Sequence, residues 1–90
     1  MKYVLFYESA DDLPARVPAH FPAHRARWAE FVGTGELLMI GPFSNAQAEG
    51  SMAIFRTRAA AETFAASDPF VLNGVVRRWW IQEWNEALAP

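Results

Sequence analysis

The stretch Lys2–Glu8, KYVLFYE, decides which folds are open to this chain. Its β-branched and aromatic residues predict a β-strand, in which successive side chains point to opposite faces. Both faces are apolar, with Tyr3, Leu5 and Tyr7 on one and Val4 and Phe6 on the other. Such a strand needs helices over one face and another layer or another subunit over the other.

The rest of the chain predicts two helices and three more strands. Ser9–Pro22 is rich in proline and predicts a loop or short turn, with the first helix beginning near Pro22. Proline is tolerated at the first helical position, but it costs about 3 kcal/mol deeper inside a helix. The later elements follow in order: strand Glu36–Ile40, polar connection Ser44–Gly50, strand Ser51–Arg56, helix Arg58–Ala66 with Thr57 as N-cap, and strand Val75–Trp84.

The order β-α-β-β-α-β is that of the α+β ferredoxin-like fold, an antiparallel sheet with two helices on one face. We expect residues 1–90 to form one such domain. The uncovered face would carry aromatic side chains of the first and last strands, an apolar patch well above a few hundred Å² on a monomer. The sequence therefore predicts a homodimer that packs through the sheet face.

The composition excludes several classes of partner. The formal net charge is -2 and no Lys/Arg run occurs, which argues against a nucleic-acid partner. No apolar run is long enough for a membrane span, and the first residues are too short for a signal sequence. We therefore expect a soluble, cytoplasmic protein, although the absence of cysteine leaves the redox compartment undetermined.

His24 lies on the predicted inner face of the first helix. Apolar residues recur around it at helical spacing: Phe21, Trp28, Phe31 and Val32. Taken alone, His24 is a core histidine satisfied by one hydrogen bond. Taken alone, Asp68 or Ser67 caps a short helix, with Pro69 at its first position and Gly74 past its end.

As a pair, His24 and Asp68 are candidates for a catalytic dyad. A buried imidazole needs a partner, and Asp68 is one of few acids expected to face inward. A carboxylate that accepts the proton of one ring nitrogen fixes the tautomer and makes the other nitrogen a general base.

His20, four residues before His24, has a spacing that could bind zinc on one helix, but Pro22 between them and the lack of a third ligand argue against a metal site. No phosphate-cradling glycine pattern is present, so we expect no cofactor.

Several short motifs together resemble the YciI-like (YCII-related) family. They are His24, Gly35 eleven residues later, ELLMIGPF with Gly41-Pro42, SDPF, and NG before a strand that ends at Trp84. The resemblance covers roughly Met1 to Trp84. It implies a ferredoxin-like fold assembled into a dimeric α+β barrel, with His24 and Asp68 as the active-site dyad.

The resemblance also implies a type of reaction. Dehalogenation-type or elimination chemistry on hydroxylated rings is associated with some relatives, and related dimeric barrels act on small aromatic or lactone substrates. We therefore expect a cofactor-independent general acid/base enzyme, of elimination, dehalogenation or isomerase type, with an unknown small-molecule ligand. Its substrate pocket would be bordered by Gly41, Pro42, Phe43 and Phe70.

The chain departs from the family pattern just before His24. Many relatives have Arg-Pro-Ala-His, whereas Phe21 stands at the arginine position here. A cation for an anionic substrate would have to come from Arg25, Arg77 or Arg78. The alternative is a non-catalytic dimeric ligand-binding or interaction module, in which His24 and Asp68 form a structural pair.

Overall fold

The computed structural model describes all ninety residues, 1–90. Its elements in chain order are β1 Lys2–Ser9, α1 Leu13–Gly33, β2 Leu37–Pro42, α2 Ala46–Glu49, β3 Ser51–Phe55, α3 Arg58–Ser67, α4 Pro69–Leu72 and β4 Val76–Trp84. The strands form one antiparallel sheet in the order β2-β3-β1-β4. The predicted ferredoxin-like α+β fold is confirmed, with two short helices, α2 and α4, added to the basic pattern.

One face of the sheet carries the core. The alternation predicted for β1 places Leu5 and Tyr7 in a buried cluster with Phe55 of β3 and Phe64 of α3. The three phenylalanine rings Phe31, Phe55 and Phe64 meet at centroid distances of 5.3–6.2 Å, within the range of favourable aromatic contacts. The side chains of α1 and α3 therefore close this face of the sheet.

The other face of the sheet remains partly open. Phe6 of β1 and Trp80 of β4 are register partners on this face, and their rings stack at 5.5 Å. Trp84 of β4 is 46% exposed. Met39 of β2 is 66% exposed, and it lies on the same face because its register partner, Ile54 of β3, pairs with Val4 of β1. The chain leaves apolar side chains of three strands accessible on this side.

Helix α1 begins at Leu13, so the expected loop over Ser9–Pro22 is wrong. Pro14 lies in the first turn, but Pro18 and Pro22 lie inside the helix, where each removes one backbone hydrogen bond. The three prolines are four residues apart and all exposed, so the freed carbonyl groups are on the solvent side of the helix. Water can then replace the missing donors.

The inner face of α1 also differs from the expected stripe. His24 is buried and Trp28 packs against the core, as predicted, but Val32 is 50% exposed. Val32 is eight residues after His24 and lies about 80° around the helix axis from it, at about 100° per residue, so it falls outside the sheet-facing stripe. None of the helices combines the length and the apolar character that a membrane span requires.

The expected polar connection Ser44–Gly50 contains the short helix α2, which the sequence pattern missed. The Asn45 side chain caps it, and Gln47 ties it to its surroundings. Gln47 donates to the Ala10 carbonyl at 2.8 Å and accepts from the Leu13 N–H at 2.7 Å. These bonds join α2 to the end of β1 and the start of α1.

Gly50 provides a test of the packing between α2 and β1. The residue has φ 77°, and a Cβ built there would lie 1.8 Å from the backbone oxygen of Tyr7. We expect Gly50→Ala to lower the free energy of unfolding by about 2–4 kcal/mol, because a strained φ and a backbone clash add together. Denaturant unfolding followed by circular dichroism measures this change.

Gly33→Ala is the matched control. A Cβ added at Gly33 would meet no atom within 4 Å, and the residue closes α1 without a positive φ. Alanine there should leave stability unchanged or raise it by up to about 1 kcal/mol. Equal effects of the two substitutions would contradict the close approach of Gly50 to Tyr7.

Candidate active site

The turn between α3 and α4 fixes the position of Asp68. Asp68 ends α3 and is the N-cap of α4, with extended dihedral angles of φ -64° and ψ 128°. Pro69 follows at the first helical position and disfavours a helical conformation at the residue before it. The side-chain Oδ1 accepts the N–H of Phe70 at 3.1 Å. The capping role inferred from the sequence is confirmed, and it aims the carboxylate into the protein.

Three donors surround the buried carboxylate of Asp68, which has 0% exposure. Besides the Phe70 N–H, the Tyr7 hydroxyl donates to Oδ2 at 2.6 Å. His24 Nδ1 lies 2.8 Å from Oδ1 and 3.0 Å from Oδ2. Residues from β1, α1 and α4 therefore meet at one carboxyl group, which is satisfied as an acceptor on both oxygens.

This arrangement fixes the tautomer of His24. The Tyr7 hydroxyl and the Phe70 N–H both donate to Asp68, so the carboxylate is a hydrogen-bond acceptor. His24 Nδ1 therefore carries a hydrogen and donates it to the carboxylate in a third hydrogen bond. The second ring nitrogen, Nε2, has no hydrogen-bond partner within the chain, yet it is not sealed from solvent. In the neutral imidazole, Nε2 is therefore the nitrogen without a hydrogen, and it points away from Asp68.

Aromatic rings hold the imidazole plane. The ring of Phe70 stacks on His24 with centroids 3.8 Å apart and an interplanar angle of 6°. Phe64 meets His24 edge-on at 6.3 Å, and Phe21 lies tilted at the same distance. If His24 takes up a proton, the face of Phe70 stabilises the resulting cation through its quadrupole.

A cavity of about 400 Å³ opens in front of His24, between α1 and the sheet. The volume is typical of a site for a small molecule. Its walls are mostly apolar and include Phe21, His24, Trp28, Gly41, Pro42 and Phe70. Among the residues expected at the pocket, Phe43 does not line the cavity, whereas the other three do.

Tyr7 is the site residue that sequence reasoning missed. The alternation of β1 predicts that Tyr7 faces the core, but this pattern does not distinguish a packing tyrosine from one that donates to Asp68. Burial raises the pKa of the Tyr7 hydroxyl far above its usual value. The charge of Asp68 and the hydrogen bond to it raise that pKa further, and Arg27 lowers it.

No lysine or arginine lines the cavity, so the cation absent at Phe21 is not replaced. Arg77 lies 2.6 Å from Asp11, Arg78 lies 3.6 Å from Glu8, and both pairs are on the surface. Arg25 is exposed on α1.

His20 shares helix α1 with His24, so the expectation that Pro22 would separate them was wrong. The proline is accommodated inside the helix, and the two histidines stand one turn apart. No group of three or more His, Cys, Asp or Glu side chains is placed to hold a metal ion.

A family model for the YCII-related domain matches residues 1–85. The chain is a member of the YCII-related family. The membership agrees with the motifs His24, Gly41-Pro42 and SDPF, of which His24, Gly41, Pro42 and Phe70 line the cavity. No curated protein sequence matches this YCII-related chain.

The fold of this YCII-related protein is also similar to a solved enzyme structure. That structure is 5-chloro-2-hydroxyhydroquinone dehydrochlorinase from Burkholderia phenoliruptrix AC1100, in complex with 2,5-dihydroxybenzoquinone. The TM-score is 0.74, the sequence identity is 18%, and the match covers 97% of this chain and 96% of the other. At this identity the similarity establishes the fold alone.

The Tyr7–Asp68 contact predicts a loss of stability at alkaline pH. The Tyr7 pKa is raised in the folded state, so its hydrogen bond contributes fully below the unfolded value of about 10 and is lost as pH rises above it. Ionisation of Tyr7 should therefore coincide with unfolding. An alkaline titration that records tyrosinate absorbance and circular dichroism together measures this coincidence.

Tyr7→Phe is the control for this titration. The chain has two tyrosines, and the variant retains only Tyr3. The tyrosinate step that accompanies unfolding should disappear, and stability should fall less steeply above pH ~10. Ionisation of Tyr7 in a protein that stays folded would contradict the raised pKa.

Proposed function

We propose that this YCII-related protein is a small general acid/base enzyme that acts on a ring-shaped small molecule. His24 is the base and Asp68 orients it. The observation that carries the proposal is that His24 lines an apolar cavity while Asp68 holds its Nδ1, which leaves Nε2 without a partner in the chain. This is the geometry that a general base requires.

The reaction that fits best is elimination. The step starts from the keto tautomer of the ring, in which the carbon that carries the leaving group is saturated. Nε2 of His24 takes the proton of a ring O–H conjugated with that carbon, and the oxygen electron pair forms a C=O bond. The adjacent ring π pair then forms a C=C bond to the saturated carbon, and the leaving group, such as chloride, departs with the electrons of its own bond. One proton and one halide leave the substrate, and no oxidant or reductant is consumed. An isomerisation would use the same proton transfer without a departing group.

The surroundings of His24 support the charge that this step creates. The imidazolium formed on Nε2 protonation keeps its Nδ1–H bond to Asp68, so an ion pair replaces the contact between a neutral ring and the carboxylate. The face of Phe70 adds a favourable cation–π contact. Tyr7 positions Asp68 through its hydrogen bond to Oδ2.

The similarity in fold to a dehydrochlorinase supports halogenated, hydroxylated rings as the first substrates to test. Lactones come next, because related dimeric barrels are associated with them. The apolar walls near His24 suit both kinds of ring.

The test compares the turnover rate of the unaltered protein with that of the variant His24→Ala. Chlorinated hydroquinones and small lactones are offered to the protein, with chloride release and loss of substrate as readouts. For any compound that is turned over, His24→Ala should lower the rate by about 10²–10⁴-fold, the usual contribution of a general base. Circular dichroism verifies that the variant is folded.

His20→Ala is the matched control, since His20 lies one turn before His24 on the same helix and does not line the cavity. It should retain full turnover. Undiminished turnover by folded His24→Ala would exclude His24 as the base.

A second candidate function is a non-catalytic module that binds a small molecule or another protein. Both oxygens of Asp68 accept hydrogen bonds within the fold, from Tyr7, His24 and the Phe70 N–H. This favours a structural role for the pair of His24 and Asp68. In that case the unaltered protein binds ring compounds without consuming them, and His24→Ala lowers stability only. Calorimetric binding in the absence of turnover would favour this function.

We also propose that two copies pair through the open sheet face. Phe6, Trp80 and Trp84 form an apolar surface there, of the kind that a second copy can bury. Trp80→Glu should convert the dimer into a monomer, because a carboxylate at the centre of an apolar interface lacks a partner. Sedimentation velocity measures the change.

Leu72→Glu is the control for assembly, since Leu72 is 65% exposed on α4, away from the sheet. It should leave the sedimentation of the protein unchanged. A monomeric unaltered protein at micromolar concentration would overturn the pairing.

A further inference from the structure

We propose that the cavity takes rings that carry no negative charge, and that Phe21 at its mouth discriminates against rings bearing a carboxylate. The inference rests on the proposed function only in taking the cavity beside His24 as the ligand site. It concerns what binds there and not whether a reaction follows.

The polar side chains of the cavity wall are few, and none of them is an aspartate, glutamate, lysine or arginine. They belong to Tyr7, Ser9, His24, Trp28 and Ser51. The Tyr7 hydroxyl is already bound to Asp68, and the Ser9 hydroxyl donates to the Ala46 carbonyl. A ligand therefore meets apolar walls, the neutral donors of Ser51 and Trp28, and one strong acceptor, Nε2 of His24. That acceptor suits a ring hydroxyl, which is a donor.

The charge behind the cavity is negative. With His24 neutral, the carboxylate of Asp68 is a buried anion in hydrogen-bond contact with the imidazole. The nearby cation is Arg27, whose guanidinium donates to the Thr63 carbonyl and to Ser67 and is not part of the cavity wall. A carboxylate in the cavity would lose water and gain no cation, close to a second buried anion.

Phe21 stands where such a cation would be most effective. It lines the cavity and is also 43% exposed, so it lies at the mouth. Its ring centroid is 6.3 Å from that of His24 and 6.4 Å from that of Phe70. The mouth is thus framed by two phenyl rings and the imidazole, which favour a flat, uncharged ring.

The test compares two probes of matched shape. The probes are 2,5-dihydroxybenzamide and 2,5-dihydroxybenzoate, which share the ring and differ in charge. Isothermal titration calorimetry on the full chain should give the amide an affinity at least about tenfold higher, as expected when a charged group is desolvated without a partner. Equal affinities, a preference for the benzoate, or binding of neither probe would overturn the proposal.

Phe21→Arg supplies the missing cation. It should lower the ratio of amide to benzoate affinity by about tenfold, through a charge-assisted hydrogen bond to the carboxylate. Phe21→Leu keeps the mouth neutral and should retain the preference for the amide. Ala23→Arg adds the same charge at an exposed position of α1 that does not line the cavity, and it should leave the ratio unchanged.

The outcomes separate this inference from the proposed function. Selective binding of the amide without turnover of any halogenated ring refutes the enzyme and leaves the ligand class intact. Turnover together with equal binding of both probes refutes the ligand class and leaves the enzyme intact. If Ala23→Arg shifts the ratio as much as Phe21→Arg does, general charge and not position 21 sets the preference, and the role of Phe21 is refuted. Should Phe21→Arg fail to fold, the comparison of probes on the unaltered protein still decides the ligand class.

Discussion

The carboxyl group of Asp68 is the constraint on which the rest of the molecule depends. A carboxylate with no exposure is strongly destabilising unless its oxygens are filled with donors. The donors come from three elements: Tyr7 on β1, His24 on α1 and the Phe70 N–H at the start of α4. The fold must therefore bring strand, long helix and turn to one point. The same bonds that satisfy the fold leave one nitrogen of His24 available for chemistry.

Helix α1 can continue through its prolines because of how they are spaced. Pro14, Pro18 and Pro22 are spaced four apart, so the backbone bonds they remove lie along the exposed side. Another side of the helix carries Val17 and Leu13 into the cavity wall, one and two turns respectively before the mouth residue Phe21. If the helix began at Pro22, Leu13 and Val17 would not be held in position to line the cavity. Apolar burial on one side thus outweighs the bonds lost on the other.

The family fold and the chemistry of the site depend on different residues. Similarity in fold to the dehydrochlorinase persists at 18% identity, because a sheet and its helices require only apolar residues at the right period. The ligand preference that we propose depends instead on a few side chains at the cavity, such as Phe21 and Phe70. This is why membership in the YCII-related family assigns the architecture and leaves the substrate to be argued from this cavity.

The sequence alone determined the order of the four strands and two main helices along the chain and the caps at Thr57 and Asp68, because these follow from local periodicity and turn chemistry. It also singled out His24 and Asp68 as a pair. Only the tertiary structure decided that α1 runs through Pro18 and Pro22, that α2 forms, and that Phe43 misses the cavity. It alone brought Tyr7 to Asp68. The physical reason is that these outcomes depend on burial between residues distant in sequence, which can outweigh local propensity and leaves no local pattern to read.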